Sequence, residues 1–193
     1  MIITQDVYDG TLIHDRFAYR FFRKSVSPAG NIVAFRAPMD VTTALIDLED
    51  SLESDFIKSE DAINFCWEIP NLCPFGAVAF QRWFNANIGL MLAKIGGFNI
   101  LIDGDDIMIR DKFIDRDGVE RDQGKVSVSI TYSQNNVALG HTGINIKAGK
   151  EAPPFAFSSS LNDAQIAEFV THSIGVFNNE VKDIWTATSK VIV

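Results

Sequence analysis

The stretch from Asp103 to Ile146 constrains the fold most strongly, because it contains three short runs in which apolar and polar residues alternate. Strict alternation is typical of β-strands that bury one face. In the first run Ile107 and Ile109 point one way and Met108 points the other. The second run should place apolar side chains on one face and a lysine with two hydroxyls on the opposite face: Val126, Val128 and Ile130 against Lys125, Ser127 and Ser129.

A strand face that carries one lysine and two serines has two explanations. It is solvated, as one face of many antiparallel sheets is, or it lines a site for an anion. A lysine among hydroxyls is a good partner for a carboxylate or a phosphate, since charge-assisted hydrogen bonds are the strong ones. The serines are then wall residues, because no base is placed to make either of them a nucleophile.

Other segments predict a mixed α+β fold in a single domain that spans residues 1–193. Alternating runs predict strands at 63–69, 100–109, 126–131 and 139–146, and helical periodicity predicts helices at 77–95 and 163–185. Gly96 and Gly97 should end the first helix, and Ser160 or Asn162 should cap the second. The first helix should bury a stripe of Phe80, Phe84, Ile88 and Met91 or Leu92.

The remaining segments give weaker predictions. Residues 1–13 suggest a hairpin around Asp9-Gly10, 14–24 a basic helix, 31–37 a buried strand and 191–193 an edge strand. Residues 39–52 fit a helix or a strand equally well. The polar stretch 112–123 should form a mobile surface hairpin, and its position directly before Lys125 would suit a flap over the site. The acidic residues between positions 47 and 55 would bind a divalent ion or form a solvated face: Asp47, Glu49, Asp50, Glu53 and Asp55.

Composition restricts the partners. Seventeen basic against twenty-five acidic residues give a formal charge of −8, which argues against binding to nucleic acid. No apolar run approaches the length of a membrane span, so we expect a cytoplasmic protein without membrane contact. Cys66 and Cys73 suit a reducing compartment as buried free thiols, and their spacing does not match a zinc site. The sequence is compatible with a monomer or a homodimer.

The order of these motifs resembles the catalytic core of the biotin and lipoate protein ligases. Those enzymes carry Asn-Asp-Leu or Asn-Asp-Ile on one strand, Lys-Ile-Ser-Gly-Ser or a variant on the next, and Gly-Ile-Gly-Ile-Asn or His-His-Gly-Thr on a third. The matching segments here are Asp105-Asp106-Ile107, Lys125-Val126-Ser127-Val128-Ser129 and Gly140-His141-Thr142-Gly143-Ile144-Asn145. This resemblance covers about residues 85–146. Nearly the whole chain also resembles a small prokaryotic family of unknown function, through Asp47-Leu48-Glu49-Asp50, Gln81-Arg82-Trp83 and the motifs above.

The ligase resemblance implies a mostly antiparallel sheet backed by helices and a site built around Lys125. By that resemblance Lys125 holds a substrate carboxylate against the α-phosphate of ATP, and Asp105 with Asp106 supports magnesium. Asn145 and His141 would line the same pocket. Arg82 could reach either Glu68, a carboxylate within an apolar strand, or the site itself.

Two departures from the ligase pattern are visible. The sequence lacks the Arg-Arg-x-x-Gly-Gly-Gly loop that binds phosphates in the ligases, since Pro74-Phe75-Gly76-Ala77 is too short, and no cysteine follows Asn145. Three readings therefore stay open: a ligase or acyltransferase, a non-catalytic binder of an anionic small molecule on the same fold, and a scaffold whose polar cluster is solvated.

Overall fold

The computed structural model describes residues 2–3, 6–14, 16–22, 27–42, 52 and 56–190, and for residues 2, 3 and 14 it describes the backbone alone. The described helices and strands, in chain order, are β1 (Ile2–Ile3), α1 (Thr11–His14), α2 (Phe17–Phe22), β2 (Asn31–Val41), β3 (Ile57–Pro70), α3 (Pro74–Gly96), β4 (Ile100–Asp103), β5 (Asp106–Ile109), β6 (Phe113–Ile114), β7 (Glu120–Arg121), β8 (Gly124–Lys125), β9 (Ser127–Gln134), β10 (Val137–Lys147) and α4 (Asp163–Thr188).

The strands form a large sheet and two smaller ones. The large sheet has the order β1-β2-β3-β10-β9, in which β1 runs parallel to β2 and all other neighbours are antiparallel. The second sheet has the order β4-β5-β8, and β6 pairs with β7. The prediction of an α+β fold with a mostly antiparallel sheet backed by helices is confirmed.

The two long helices pack on one face of the large sheet. Alternation along β3 turns Ile63, Phe65 and Trp67 toward α3 and α4. The opposite face carries a second apolar cluster that includes Cys66 and packs against α1 and α2. The central strands are therefore buried on both sides, which explains why burial along β3 and β10 is nearly continuous.

The predicted end of α3 and the predicted start of α4 are confirmed, whereas α3 begins three residues earlier than predicted, at Pro74, and α4 ends three residues later, at Thr188. In α4, Asn162 accepts a hydrogen bond from the Gln165 backbone N–H at 3.0 Å, and the Gln165 side chain accepts one from the Asn162 N–H at 3.0 Å. This reciprocal capping box makes Asn162 the cap. Gly97 ends α3 in the left-handed region, with φ of 73°. No described helix is long and apolar enough to cross a membrane.

Several local predictions are wrong. Residues 1–13 do not form a hairpin, because β1 pairs in parallel with β2 and the segment after Asp9-Gly10 is α1. Of the basic helix predicted at 14–24, only Phe17–Phe22 is described as helix; α1 ends at His14, and Arg16 between them has a φ of 56°. Run 100–109 is a hairpin of β4 and β5 and not one strand. Cys66 and Cys73 are free thiols, yet Cys73 is exposed.

The second alternating run is also interrupted. Val126 lies between β8 and β9 and is buried with the helices, whereas Val128 and Ile130 pack against the cluster on the opposite face. Val126 donates its N–H to the Ile107 carbonyl and accepts from the Asn145 N–H, so it joins the small sheet to the large one. The three apolar residues consequently do not share a face. The predicted edge strand 191–193, and most of 39–52, lie outside the described residues.

Candidate functional site

A cavity of about 290 Å³ lies where the small sheet meets the large one. Its lining comes from the three motifs that the sequence singles out, from the loop 153–156 and from the start of β3 with the residue before it. The lining comprises Phe56, Ile57, Lys58, Asp105, Asp106, Lys125, Ser127, Val128, Ser129, Asn145, Pro153, Phe155 and Ala156.

An ion pair stands at the polar side of this cavity. Lys125 Nζ lies 2.7 Å from Asp106 Oδ1, and each side chain is about one third exposed, at 32% and 34%. Lys125 lies opposite Met108 across β5 and β8, so Asp106 is its diagonal neighbour on the same face. The Lys125 backbone is held on its other side by hydrogen bonds with Phe155 and Phe157, both at 2.8 Å. These hydrogen bonds hold in place the backbone from which the Lys125 side chain extends toward the cavity.

Both serine hydroxyls have hydrogen-bond partners within the protein. Ser127 is fully buried, and its Oγ accepts the Ile107 backbone N–H at 2.8 Å. Ser129 Oγ accepts hydrogen bonds from Gln81 Nε2 at 2.7 Å and from Asn85 Nδ2 at 2.9 Å. A hydroxyl has two acceptor positions, so both are used at Ser129. Its O–H is left for a ligand or for Thr142 Oγ1, which lies 3.5 Å away.

An amide pair on α3 organises this polar side, and the sequence analysis missed it. Gln81 Nε2 lies 3.2 Å from Asp105 Oδ2, and Asn85 donates to the Asp105 carbonyl at 2.8 Å. Asn85 Oδ1 in turn accepts from Thr142 Oγ1 at 2.8 Å. Both amides are buried, one helical turn apart beside Phe84. The sequence did contain a signal for this pair: the two amides are four residues apart and border the apolar stripe of α3.

Burial changes the acid–base behaviour of the turn that carries the paired acids. Partial burial, followed by the charge of Asp106, raises the pKa of Asp105 above its ordinary value, although Lys125 and Arg82 oppose the shift.

A second lysine on the cavity wall, Lys58, was not predicted from the sequence. Its Nζ lies 3.0 Å from Glu151 Oε2 and 3.4 Å from Asp40 Oδ2.

Asn145 reaches the cavity from the end of β10. Its side chain is 3% exposed, and its Oδ1 has no hydrogen-bond partner among the described residues. Lys125, Asp105, Asp106, Ser127, Ser129 and Asn145, all proposed from the sequence, thus lie around one cavity.

Three other predicted site residues, His141, Glu68 and Arg82, do not line the cavity. His141 lies four residues before Asn145 on β10, stacked on Tyr8 with ring centroids 4.1 Å apart and hydrogen-bonded to Asn64. Burial lowers the pKa of His141 to about 3, so it is neutral. Glu68 is buried and pairs with Arg16 at 3.1 Å, not with Arg82. Neither His141 nor Glu68 lines the cavity.

Arg82 stays near the site without lining it. It is exposed, and its guanidinium approaches Gly104 in the turn that precedes Asp105. The predicted hairpin at 112–123 exists as β6 and β7, but none of its residues lines the cavity. Arg116 instead donates to the Ala152 carbonyl at 2.5 Å. The hairpin therefore packs beside the loop 147–158 and does not cover the site.

The described ranges contain no group of three or more His, Cys, Asp or Glu side chains that could hold a metal ion. The acidic set proposed as a divalent-ion site lies outside the described residues: Asp47, Glu49, Asp50, Glu53 and Asp55.

The fold and this cavity define a protein with the architecture of the biotin and lipoate protein ligases. The chain belongs to the family described as Domain of unknown function (DUF366), which matches residues 1–192. None of the curated proteins matches it.

Solved structures have a similar fold. A protein of unknown function from Pyrococcus horikoshi has a TM-score of 0.77 at 22% identity, and the match covers 100% of this chain and 97% of that one. Biotin protein ligase from Aquifex aeolicus, in complex with biotin and ATP, has a TM-score of 0.54 at 12% identity, covering 94% of this chain and 69% of that one. The bipartite lipoate protein ligase from Thermoplasma acidophilum has a TM-score of 0.50 at 9% identity, covering 89% and 81%. At these identities the likeness concerns the fold.

Proposed function

We propose that the protein binds a small carboxylic acid in the cavity and activates it for transfer, with Lys125 holding the carboxylate. One observation carries the proposal: the Lys125 ammonium stands at the cavity wall, fixed by Asp106 at 2.7 Å. An ammonium has three donors, and Asp106 uses one. The remaining two would donate to oxygens of an anionic ligand.

The rest of the lining suits an organic acid better than an inorganic anion. Phe56, Val128 and Phe155 give the cavity apolar walls, and the polar groups stand at defined points. Small-molecule sites typically combine such walls with a few placed polar groups. The acid's carbon skeleton would contact the apolar walls while its carboxylate meets Lys125.

Activation requires an electrophile, and ATP would supply it as a co-substrate. The carboxylate oxygen would bond to the α-phosphorus, the bond to the β-phosphate would break, and pyrophosphate would leave with an acyl-adenylate as product. Lys125 would stabilise the charge that grows on the phosphoryl oxygens. Asp105 and Asp106 would support a magnesium ion, which takes one or two carboxylates together with phosphate oxygens.

A second function, binding without catalysis, is favoured by a different observation. Lys58 and Lys125 are the two basic residues of the described cavity lining, and both already have acidic partners. The sequence also lacks the glycine-rich phosphate loop of the ligases. A cavity with so little free positive charge suits one carboxylate better than a triphosphate.

Mass spectrometry of protein purified without added ligand separates these functions. We expect an acyl-adenylate to co-purify, and release of labelled pyrophosphate from ATP should depend on an added acid. An unmodified acid in the protein, with no ATP consumption by any acid tested, would establish the binder instead.

Replacement of Lys125 tests the site itself. Lys125→Ala should weaken binding of the co-purifying acid or adenylate by about 2 kcal/mol, the lower end of the loss when one partner of a buried charge pair is removed, because Lys125 is one third exposed. Titration calorimetry would measure this loss. The matched control is Lys112→Ala, which also breaks a lysine–carboxylate pair, with Glu120 at 2.7 Å, but on the exposed hairpin. Equal affinity of the two variants would refute the role of Lys125.

A further inference from the structure

A second cavity, of about 440 Å³, lies between the first turns of α3 and the last turns of α4. We name it the interhelical groove. It shares no lining residue with the cavity around Lys125, so its role is independent of the proposed function.

The sequence of α3 explains why the groove is open. The α3 residues that line it recur at three- and four-residue steps and therefore share one face of the helix: Gly76, Ala79, Phe80 and Trp83. The first two have little or no side chain, so they leave space beside the rings of Phe80 and Trp83. The centroids of these rings are 5.4 Å apart.

A third aromatic side chain lines the groove from α4. Val181, Ile184 and Trp185 share one face of that helix by the same spacing. The Trp185 indole is held in place, since its Nε1–H donates to the Ala29 carbonyl at 3.1 Å. This bond uses the only polar group of the indole. The rest of Trp185 therefore gives the groove an apolar aromatic wall.

One acid is the only charged residue in the described lining of the groove. Glu180 is half-buried, and no described residue forms a hydrogen bond or an ion pair with its carboxylate. A charge that is partly removed from water without a partner is unfavourable. Its own helix supplies no cation, because the residues three and four positions away are Val176, Phe177, Asp183 and Ile184.

The carboxylate and the rings together define a class of ligand. Aromatic faces attract cations, most strongly at Trp, and a carboxylate attracts them as well. The apolar lining favours a hydrocarbon body. We infer that the interhelical groove binds an apolar molecule with a protonated or quaternary amine, the amine beside Glu180 and the hydrocarbon against Trp83 and Trp185. This preference is the reverse of that of the first cavity, whose basic residues suit an acid.

Three probes with one hydrocarbon skeleton test the charge preference: cyclohexylmethylamine, cyclohexylmethanol and cyclohexanecarboxylate. Tryptophan fluorescence reports the groove, because two of the three tryptophans line it and Trp67 is buried in the core. In a titration of wild-type protein the amine should bind at least ~10-fold more tightly than the alcohol. The acid should not change the fluorescence, even if it binds in the cavity around Lys125.

Two substitutions separate the charge from the space. Glu180→Gln keeps the shape of the side chain, so the amine should lose its ~10-fold advantage while the alcohol binds as before. Ala79→Leu places a larger side chain in the groove at an exposed position of α3, where leucine suits a helix, and both probes should bind at least ~10-fold more weakly. The matched control is Glu168→Gln, an exposed acid of α4 outside the groove, which should bind as wild type does.

The possible outcomes decide between occupants of the groove. Equal affinity of wild type for the amine and the alcohol would overturn the inference, as would an amine preference that survives Glu180→Gln. Failure of all three probes to change the fluorescence would overturn it too. A lower proportion of dimer for Ala79→Leu in sedimentation would then identify the groove as an interface between two copies of the chain. Lys125→Ala should bind the amine as wild type does, so this result and the proposed function succeed or fail separately.

Discussion

Single residues show where sequence patterns locate a site and where they mislead. Lys125 and Asp106 meet because alternation on neighbouring strands places them diagonally on one face. His141 was misplaced because only the end of β10 borders the cavity: His141 shares a face with Asn145 but lies four residues earlier, where it stacks on Tyr8. Gln81 and Asn85 were missed since their partners come from strands distant in sequence, and a helical pattern does not show those partners.

The buried position of His141 leads to a pH prediction. Burial lowers its pKa to about 3, from an ordinary value near 6.5. Between these values the unfolded chain takes up a proton that the folded protein excludes, so the free energy of unfolding falls as pH falls, by at most about 1.4 kcal/mol per pH unit. His141→Gln keeps an amide that can bond Asn64 and lacks this dependence. Urea denaturation at pH 7 and pH 5 should show a smaller decrease for the variant; parallel decreases would contradict the prediction.

At the scale of elements, local signals succeed where a helix carries its own periodicity and caps. The apolar stripe and Gly97 locate α3, and Asn162 with Gln165 locates the start of α4. The prediction of an N-terminal hairpin is wrong because β1 has only two residues. Its parallel pairing with β2 defines it as a strand, and a local sequence pattern does not reveal that pairing. The prediction that Val126 shares a face with Val128 and Ile130 is wrong for a similar reason, because the hydrogen-bond partners of Val126 lie on β5 and β10.

The stripe of α3 gives a prediction about stability. Phe84 is fully buried, with ring centroids 6.0 Å from Phe65 and 5.9 Å from Phe177. Phe84→Ala should cost about 3–5 kcal/mol, because it removes a large side chain from a close-packed core. Chemical denaturation would measure the loss. Leu90→Ala on the same helix is the control: Leu90 is 69% exposed, and its replacement should cost less than about 0.5 kcal/mol. Similar losses would mean that the stripe is not core.

At the scale of the whole molecule, the small sheet is attached to the large one at a few points around the cavity. One attachment is the Lys125-Val126 backbone, which bonds to β5, to β10 and to the loop 153–157. Another is Asn85, which joins the Asp105 carbonyl, Ser129 and Thr142 from α3. The sequence predicted one mostly antiparallel sheet but neither the separate small sheet nor these junctions, because a junction depends on residues far apart in the chain. The cavity lies at the junction, so its shape should depend on it.

Asn85→Ala tests that dependence. Asn85 is fully buried, and its loss would remove the hydrogen-bond partner of the Thr142 hydroxyl and of the Asp105 carbonyl, and one of the two amide donors to Ser129. Because each unsatisfied buried group costs about 1–3 kcal/mol, we expect a loss of at least ~2 kcal/mol. Amide hydrogen exchange in β4 and β5 should accelerate more than exchange in β3, since the small sheet would open before the large sheet unfolds.

The control for this variant is Asn87→Ala on the same helix. Asn87 is half-buried, and its side-chain amide donates to the Trp83 carbonyl of its own helix at 2.8 Å. That substitution removes an amide without disturbing the junction, so exchange in β4 and β5 should stay close to wild type. Uniform acceleration across both sheets in Asn85→Ala would show instead that the sheets unfold as one unit and that Asn85 is an ordinary core residue. Selective opening with weaker ligand binding would show that the junction holds the Asp105-Asp106 turn in place for Lys125.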